Sequence, residues 1–323
     1  TKPGPYSVTG CSGVAPAVGR PERRRSPHGV AVEVVSNRCA TPPCMQRRFA
    51  QVDVFSAVPF LGNPVAVVLD GEGLTTEEMQ AITRWTNLSE ATFLLPPTTP
   101  AADYRVRIFT QSRELPFAGH PTLGSCRAWL DAGGTPTGTD IVQECGAGLV
   151  PIRRDGELLA FAAPPTTRSG PVSEEDLAYV CDVLRLDRSA VVDAAWTDNG
   201  PGWVSLLLSS AEAVLDVKPR VALDRETDIG LVGFHPPGGD VAVEVRGLFT
   251  DDQHVLREDP VTGSLNAAVA QWLITGGRAE APWVAAQGAV LGRAGRVHVS
   301  TDADDQVWVG GATTVVVSGT IEA

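Results

Sequence analysis

Three residues in this sequence could together move a proton between carbon atoms: Glu90, His120 and Asp259. Glu90 closes the turn Asn87-Leu88-Ser89-Glu90, just before the apolar stretch Ala91–Leu95. A carboxylate held in such surroundings has its pKa raised toward neutrality, so one group can accept a proton and return it. His120 precedes Pro121 at the head of a predicted helix, 121–131, and Asp259 precedes Pro260 at the head of another. Ser264, after Gly263, falls in the first turn of that second helix. Helix N-termini attract anions through free N–H groups and the helix dipole, so a small-molecule carboxylate is the expected ligand. Each residue also has a plainer reading. A glutamate after a turn is commonly solvated, and a histidine before proline commonly caps. Asp259-Pro260 reads as an N-cap before a first-turn proline, and Gly263-Ser264 could simply let the backbone turn. Glu114 and Glu258, near the same loops, are expected in structural ion pairs.

The elements around these residues raise the weight of the chemical reading. Val52–Phe55, Pro64–Leu69, Ala91–Leu95 and Tyr104–Thr110 read as strands. Thr75–Asn87 reads as a helix with a Thr75/Glu78 capping box and an apolar face of Met79, Ile82 and Trp85. The order recurs about 140 residues later, as an internal duplication would give. Ile108-Phe109-Thr110 answers Leu248-Phe249-Thr250, and Ala118-Gly119-His120-Pro121 answers Asp259-Pro260-Val261-Thr262. Trp129-Leu130 answers Trp272-Leu273, and Glu144-Cys145-Gly146 answers Ala286-Gln287-Gly288. The helix predicted for 173–186 answers that from Thr75. Glu90 then has Gly200-Pro201-Gly202-Trp203 as its mirror, without a carboxylate. Two such halves imply a pseudo-twofold axis, with both helix N-termini and the proton-carrying residues converging on one interfacial cleft.

Bulk properties fit this picture. The chain has 323 residues, 43% hydrophobic and 20% charged, which suits two soluble halves. The expected division is an extension over 1–47, one half over 48–167 and a second over 168–323, whose last strand packs back on the first. The extension is basic at Arg20 and Arg23–Arg25 and is expected to be mostly disordered, with a short strand at Val30–Val35 and a targeting peptide as the alternative reading. The net charge of −12 argues against nucleic-acid partners, and no apolar run of membrane-spanning length occurs, so the expected location is cytoplasmic. The six cysteines show neither CxxC nor zinc spacing, so they read as inert thiols and no metal is expected.

The segments Gly62-Asn63-Pro64-Val65-Ala66-Val67, Asn87-Leu88-Ser89-Glu90-Ala91-Thr92-Phe93, Leu115 to Gly124 with Gly119-His120-Pro121-Thr122, and Glu258-Asp259-Pro260-Val261-Thr262-Gly263-Ser264 together resemble the PhzF-like phenazine-biosynthesis isomerase family. The resemblance runs from Phe49 to the C-terminus, with Val261 where alanine is common. It implies an α+β, diaminopimelate-epimerase-like fold: two halves, each a small β-barrel around a central helix. It also implies a homodimer and no cofactor. By match to the motifs, Glu90 is the acid/base, His120 and Asp259 assist, and Ser89, Gly119, Thr262, Gly263 and Ser264 line the site. The family's named member isomerises trans-2,3-dihydro-3-hydroxyanthranilate. Related racemases carry a thiol before each central helix; Ala118 and Asp259 stand there in this reading, which disfavours thiol racemisation. An epimerase using Glu90 and Asp259 as bases, and a non-catalytic binding protein of the same fold, are the competing expectations.

Overall fold

The computed structural model describes residues 45–323. The predicted strand at Val30–Val35 and the basic patch lie outside them. The first half runs β1 (Gln46–Val54), β2 (Asn63–Val68), α1 (Thr76–Thr86), β3 (Glu90–Leu95), β4 (Tyr104–Thr110), β5 (Glu114–Leu115), α2 (Gly119–Asp131), β6 (Ile141–Cys145), β7 (Gly148–Asp155) and β8 (Leu158–Ala162). The second runs β9 (Arg168–Pro171), α3 (Glu174–Leu184), β10 (Val191–Asp198), β11 (Trp203–Leu208), α4 (Ala211–Leu215), β12 (Asp228–Phe234), β13 (Val243–Thr250), β14 (Leu256–Asp259), α5 (Gly263–Thr275), β15 (Trp283–Gln287), β16 (Gly295–Thr301) and β17 (Val307–Glu322). The fold is α+β, as the sequence predicts.

Strand pairing closes the first half into a barrel in the order β1, β2, β3, β4, β6, β7, β8, β17 and back to β1. Its interior is filled by α2, whose Leu123 and Cys126 are buried against Val52, Val65, Ile108 and Phe161. The second half curls β10, β11, β12, β13, β15, β16 and β17 about α5. Here no pairing joins β9 to β17 among the described residues, so this sheet stays open at one seam. β17 joins the halves: it pairs with β16 through Val307–Gly310, with β8 through Trp308–Ala312, and with β1 from Thr313 onward. α1 lies against the outer faces of β3 and β4, burying Met79 with Ala66, Phe93 and Phe109.

Several local expectations change in the fold. The capping box on α1 forms as predicted, with Asn87 closing the helix in the left-handed region. Trp85, however, is 82% exposed, and the buried face is carried by Met79, Gln80 and Thr83. β1 begins at Gln46, inside the expected extension, because Arg47 is buried and donates to the Asp70 and Glu72 carbonyls. α2 begins at Gly119, so His120 lies inside its first turn and the N-cap is Ala118. Asp259 is not an N-cap. It ends β14, paired with Gly247 of β13, and α5 starts only at Gly263 after Thr262. The antiparallel pairing of β14 with the preceding strand overrides the local Asp-Pro signal.

The repeat is real but its register differs from the sequence reading. Gly119 corresponds to Gly263, so Ala118 corresponds to Thr262, not to Asp259. Neither is a thiol. The element between β11 and β12 that answers α1 is the short α4, packed on β12 and β13. α3 covers the outer face of the second half from a different place in the chain, burying Leu177, Val180 and Leu184 against Leu206 and Leu231. Once α4 replaces α3 in the comparison, the mirror of Glu90 is no longer the Gly200–Trp203 turn. Glu90 opens β3, and Asp228 opens β12.

Candidate active site

The N-termini of α2 and α5 meet. A side-chain carbon added to Gly263 would lie 3.0 Å from Gly119 Cα, and one added to Gly119 would lie 2.8 Å from Phe161 Cζ. Only glycine permits this approach of two backbones. Neither helix has a side-chain cap, and the N–H groups of Gly119, His120, Gly263 and Ser264 have no acceptor among the described residues. Two uncapped N-termini side by side make a receptor for a carboxylate. Gly263→Ala is therefore expected to separate the helices, lowering stability by about 1–3 kcal/mol and weakening binding of a benzoate-type ligand by about tenfold or more. Urea unfolding and isothermal titration read the two effects.

The proton-carrying residues border this point. His120 Nε2 is 3.4 Å from Glu90 Oε2, with side-chain exposures of only 6% and 16%. The two atoms lack hydrogen-bond alignment, and both are buried without a partner among the described residues. Burial, aided by the facing Asp259 carboxylate, pushes Glu90 up to about 8. Burial holds His120 down to about 3, against the opposing pull of the Pro64 carbonyl, so the ring is neutral at working pH. Asp259 is also raised by burial, but the Thr262 hydroxyl donates to its Oδ2 (2.7 Å) and Asn63 Nδ2 to its Oδ1 (3.0 Å), and both favour its charged form. Two carboxyls this close share their charge unequally. Asp259, supplied with donors, keeps the negative charge, and Glu90 holds the proton.

Asn63 is the residue that sequence reasoning missed. It sits in the Gly62-Asn63-Pro64 segment at the start of β2. Its amide nitrogen donates to Asp259 and to the Val261 carbonyl (2.9 Å) and lies 3.3 Å from His120 Nδ1. One buried side chain thus fixes His120 from the first half and Asp259 from the second. Gln287 is likewise an unpredicted support of the site. It accepts from the Thr262 N–H (3.0 Å) and donates to the Thr262 hydroxyl (2.9 Å) and the Asp259 carbonyl (3.2 Å). Asn63 stands in one of the segments that carry the family resemblance, where the sequence assigns it no role, and Gln287 is in the sequence only an amide ending an apolar strand. Of the other sequence-predicted residues, Gly119, Thr262, Gly263 and Ser264 are brought together at the paired N-termini. Ser89 is exposed, immediately ahead of Glu90. Glu114 and Glu258 are in ion pairs, with Arg107 and Arg246 respectively. Cys126 and Cys181 are buried free thiols, and burial pushes Cys126 up to about 12, consistent with inert packing.

The chain is similar to known proteins. The family model described as "Phenazine biosynthesis-like protein" (PhzC-PhzF) matches residues 52–319. A protein of Schizosaccharomyces pombe named Antisense-enhancing sequence 1 is 38% identical over 296 residues, covering 85% of this chain and 98% of that protein. The trans-2,3-dihydro-3-hydroxyanthranilate isomerase of Pseudomonas fluorescens is 32% identical over 248 residues, covering 75% and 86%. Among solved structures, a predicted epimerase from Pseudomonas aeruginosa superposes with a TM-score of 0.70 at 27% identity, covering 85% of this chain and 99% of that one. The chain belongs to the phenazine biosynthesis-like, PhzC-PhzF, family.

Proposed function

We propose that this protein is an isomerase that moves a proton within a small unsaturated carboxylic acid, with Glu90 as the single proton carrier and no cofactor. The observation that carries this reading is the buried, unpartnered Glu90 carboxyl beside the paired helix N-termini. The substrate carboxylate would rest on the free N–H groups of Gly119, His120, Gly263 and Ser264. Ionised Glu90 takes a proton from one carbon, leaving a delocalised carbanion conjugated with that carboxylate, and returns the proton to another carbon. No electrons are gained or lost. The neutral imidazole of His120, 3.4 Å from Glu90, steers the carboxyl, while Asp259 supplies the fixed negative charge that keeps Glu90 a strong base. Ser89, at the mouth, and Thr262 and Ser264 complete the lining. A homodimer follows from the family resemblance and belongs to the same proposal.

The name of the Pseudomonas fluorescens relative makes trans-2,3-dihydro-3-hydroxyanthranilate the first compound to test. Conversion followed by NMR is the expected result; an untouched substrate would move the search to related acids. The name of the fission-yeast relative concerns antisense effects, but a net charge of −12 and the buried carboxyls of Glu90 and Asp259 oppose a polyanionic ligand. An epimerase acting through Glu90 and Asp259 would instead change the chirality of an amino acid, which a chiral assay over an amino-acid panel detects.

The pH dependence has a defined sign. A base must be ionised, and Glu90 is pushed up to about 8 in the free protein. The kcat/KM profile is therefore expected to climb with pH and level off above about 8. His120, held near 3, adds no limb at neutral pH. A profile that falls across this range would exclude Glu90 acting first as a base.

A further inference from the structure

The offset that relates Gly119 to Gly263 also relates Gln143 to Gln287 and Thr122 to Asn266. Both glutamines are at most 1% exposed, one on β6 and one on β15, each in parallel pairing with a longer strand. Each reaches the fourth residue of its central helix. Gln143 Nε2 donates to Thr122 Oγ1 at 2.9 Å, and Gln287 Oε1 accepts from Asn266 Nδ2 at 2.8 Å. The repeat thus gives each central helix one buried amide as an anchor.

The two amides are turned differently. Tyr104 pairs with Gln143 across the strands and gives its hydroxyl to Oε1 at 3.1 Å. Val245 pairs with Gln287 and offers no side-chain donor, so Gln287 Oε1 accepts instead from the Thr262 N–H at 3.0 Å. That N–H can only donate, which fixes the oxygen end of the amide. The two hydrogens of Nε2 are then committed to the Asp259 carbonyl (3.2 Å) and to Thr262 Oγ1 (2.9 Å). A hydroxyl that accepts from Gln287 points its own hydrogen elsewhere, and Asp259 Oδ2 stands 2.7 Å away. Every bond in this relay has one possible direction, and the relay ends on the carboxyl that faces Glu90. In the first half Ala118 occupies the place of Thr262. Gln143 therefore has no such hydroxyl to orient, and its bonds stop at α2.

We propose that Gln287 is a positioning residue: by orienting the Thr262 hydroxyl onto Asp259 it decides which of the two facing carboxyls, Asp259 or Glu90, carries the negative charge, while Gln143 only anchors α2. This deepens the isomerase reading, on which its part in catalysis rests. The other titratable groups about the pair are His120, 3.4 Å from Glu90, and Glu258, held by Arg246. The test is carboxyl-carbon NMR titration of the full chain, isotope-labelled at glutamate and aspartate, with Glu90→Gln and Asp259→Asn assigning the two signals. Gln287→Met keeps the side-chain length and removes every bond of the amide. It is expected to lower the ratio of ionised Asp259 to ionised Glu90 by about two- to tenfold, the worth of one hydrogen bond. Gln143→Met, equally buried, is expected to leave both titrations as in the wild type. In a Thr262→Val background Gln287→Met should add no further shift, because its route to Asp259 is already gone. In turnover, the climb of kcat/KM toward about pH 8 is expected to flatten in Gln287→Met, where Glu90 ionises opposite a protonated Asp259, and to persist in Gln143→Met. If Gln287→Met does not fold, Gln287→Asn, which withdraws the amide, takes its place. Wild-type titrations in the Gln287 variant, the same shift in Gln143→Met, or additive shifts in the double variant would overturn the proposal. The titration needs no substrate, so a protein that turns nothing over still tests Gln287, and a negative result for Gln287 leaves the isomerase reading standing.

Discussion

Glu90→Gln is expected to lower turnover by roughly 10²–10⁴-fold, the range a positioned general acid–base group contributes. The amide is nearly isosteric, keeps the strand register with Thr110, and cannot carry the proton. Substrate binding should change little, because the carboxylate rests on backbone N–H groups of other residues; the loss belongs to kcat. The same substitution has a second, substrate-free signature. The folded pKa of Glu90 is above the unfolded value, so the wild type binds an extra proton on folding. It must lose stability as pH rises from the unfolded pKa toward about 8. The substituted amide does not titrate and has no such penalty. The variant therefore gains stability over the wild type as pH rises and shows no gain in acid. Denaturant unfolding at pH 5 and at pH 9 separates the two proteins and confirms that inactive material is folded.

The largest expected effect on stability lies beneath Asp259. Arg246 is 2% exposed and holds Glu258, itself 10% exposed, through two bonds of 3.0 and 2.8 Å. It also donates to the Val214 and Val217 carbonyls at 2.9 and 2.8 Å, tying α4 to β13 and β14. Arg246→Ala strands a buried carboxylate and two carbonyls, at a cost of about 3–5 kcal/mol. The corresponding pair of the first half, Arg107 with Glu114, is 25% and 39% exposed; Arg107→Ala should cost no more than about 1 kcal/mol. Urea unfolding of the two variants side by side tests whether burial, not the presence of an ion pair, sets the cost. Equal losses would contradict it.

The order of strands, the capping box of α1 and the duplication are legible in the sequence because each is a local pattern of side chains. The register of the duplication is not. α3 carries the capping and apolar spacing of α1, so it is the natural match in one dimension; only strand pairing identifies α4 as the true counterpart. The mismatch conceals Asp228. Asp259-Pro260 similarly reads as a helix start, yet pairing with Gly247 extends a strand through Asp259. Glu90, His120 and Asp259 stand out through their motifs. Asn63 lies in a motif segment too, but its role in linking two of them is not legible there, since a buried amide has no periodic signature.

The most direct test of the account follows solvent hydrogen into carbon. Wild-type protein and Glu90→Gln are incubated in D₂O with trans-2,3-dihydro-3-hydroxyanthranilate, and the recovered material is read by mass spectrometry and NMR. The expected result is conversion by the wild type, with deuterium at the receiving carbon in those turnovers in which the Glu90 acid exchanges with solvent before it returns the hydrogen, and loss of both conversion and label for the variant. Incorporation by Glu90→Gln at the wild-type rate would contradict it.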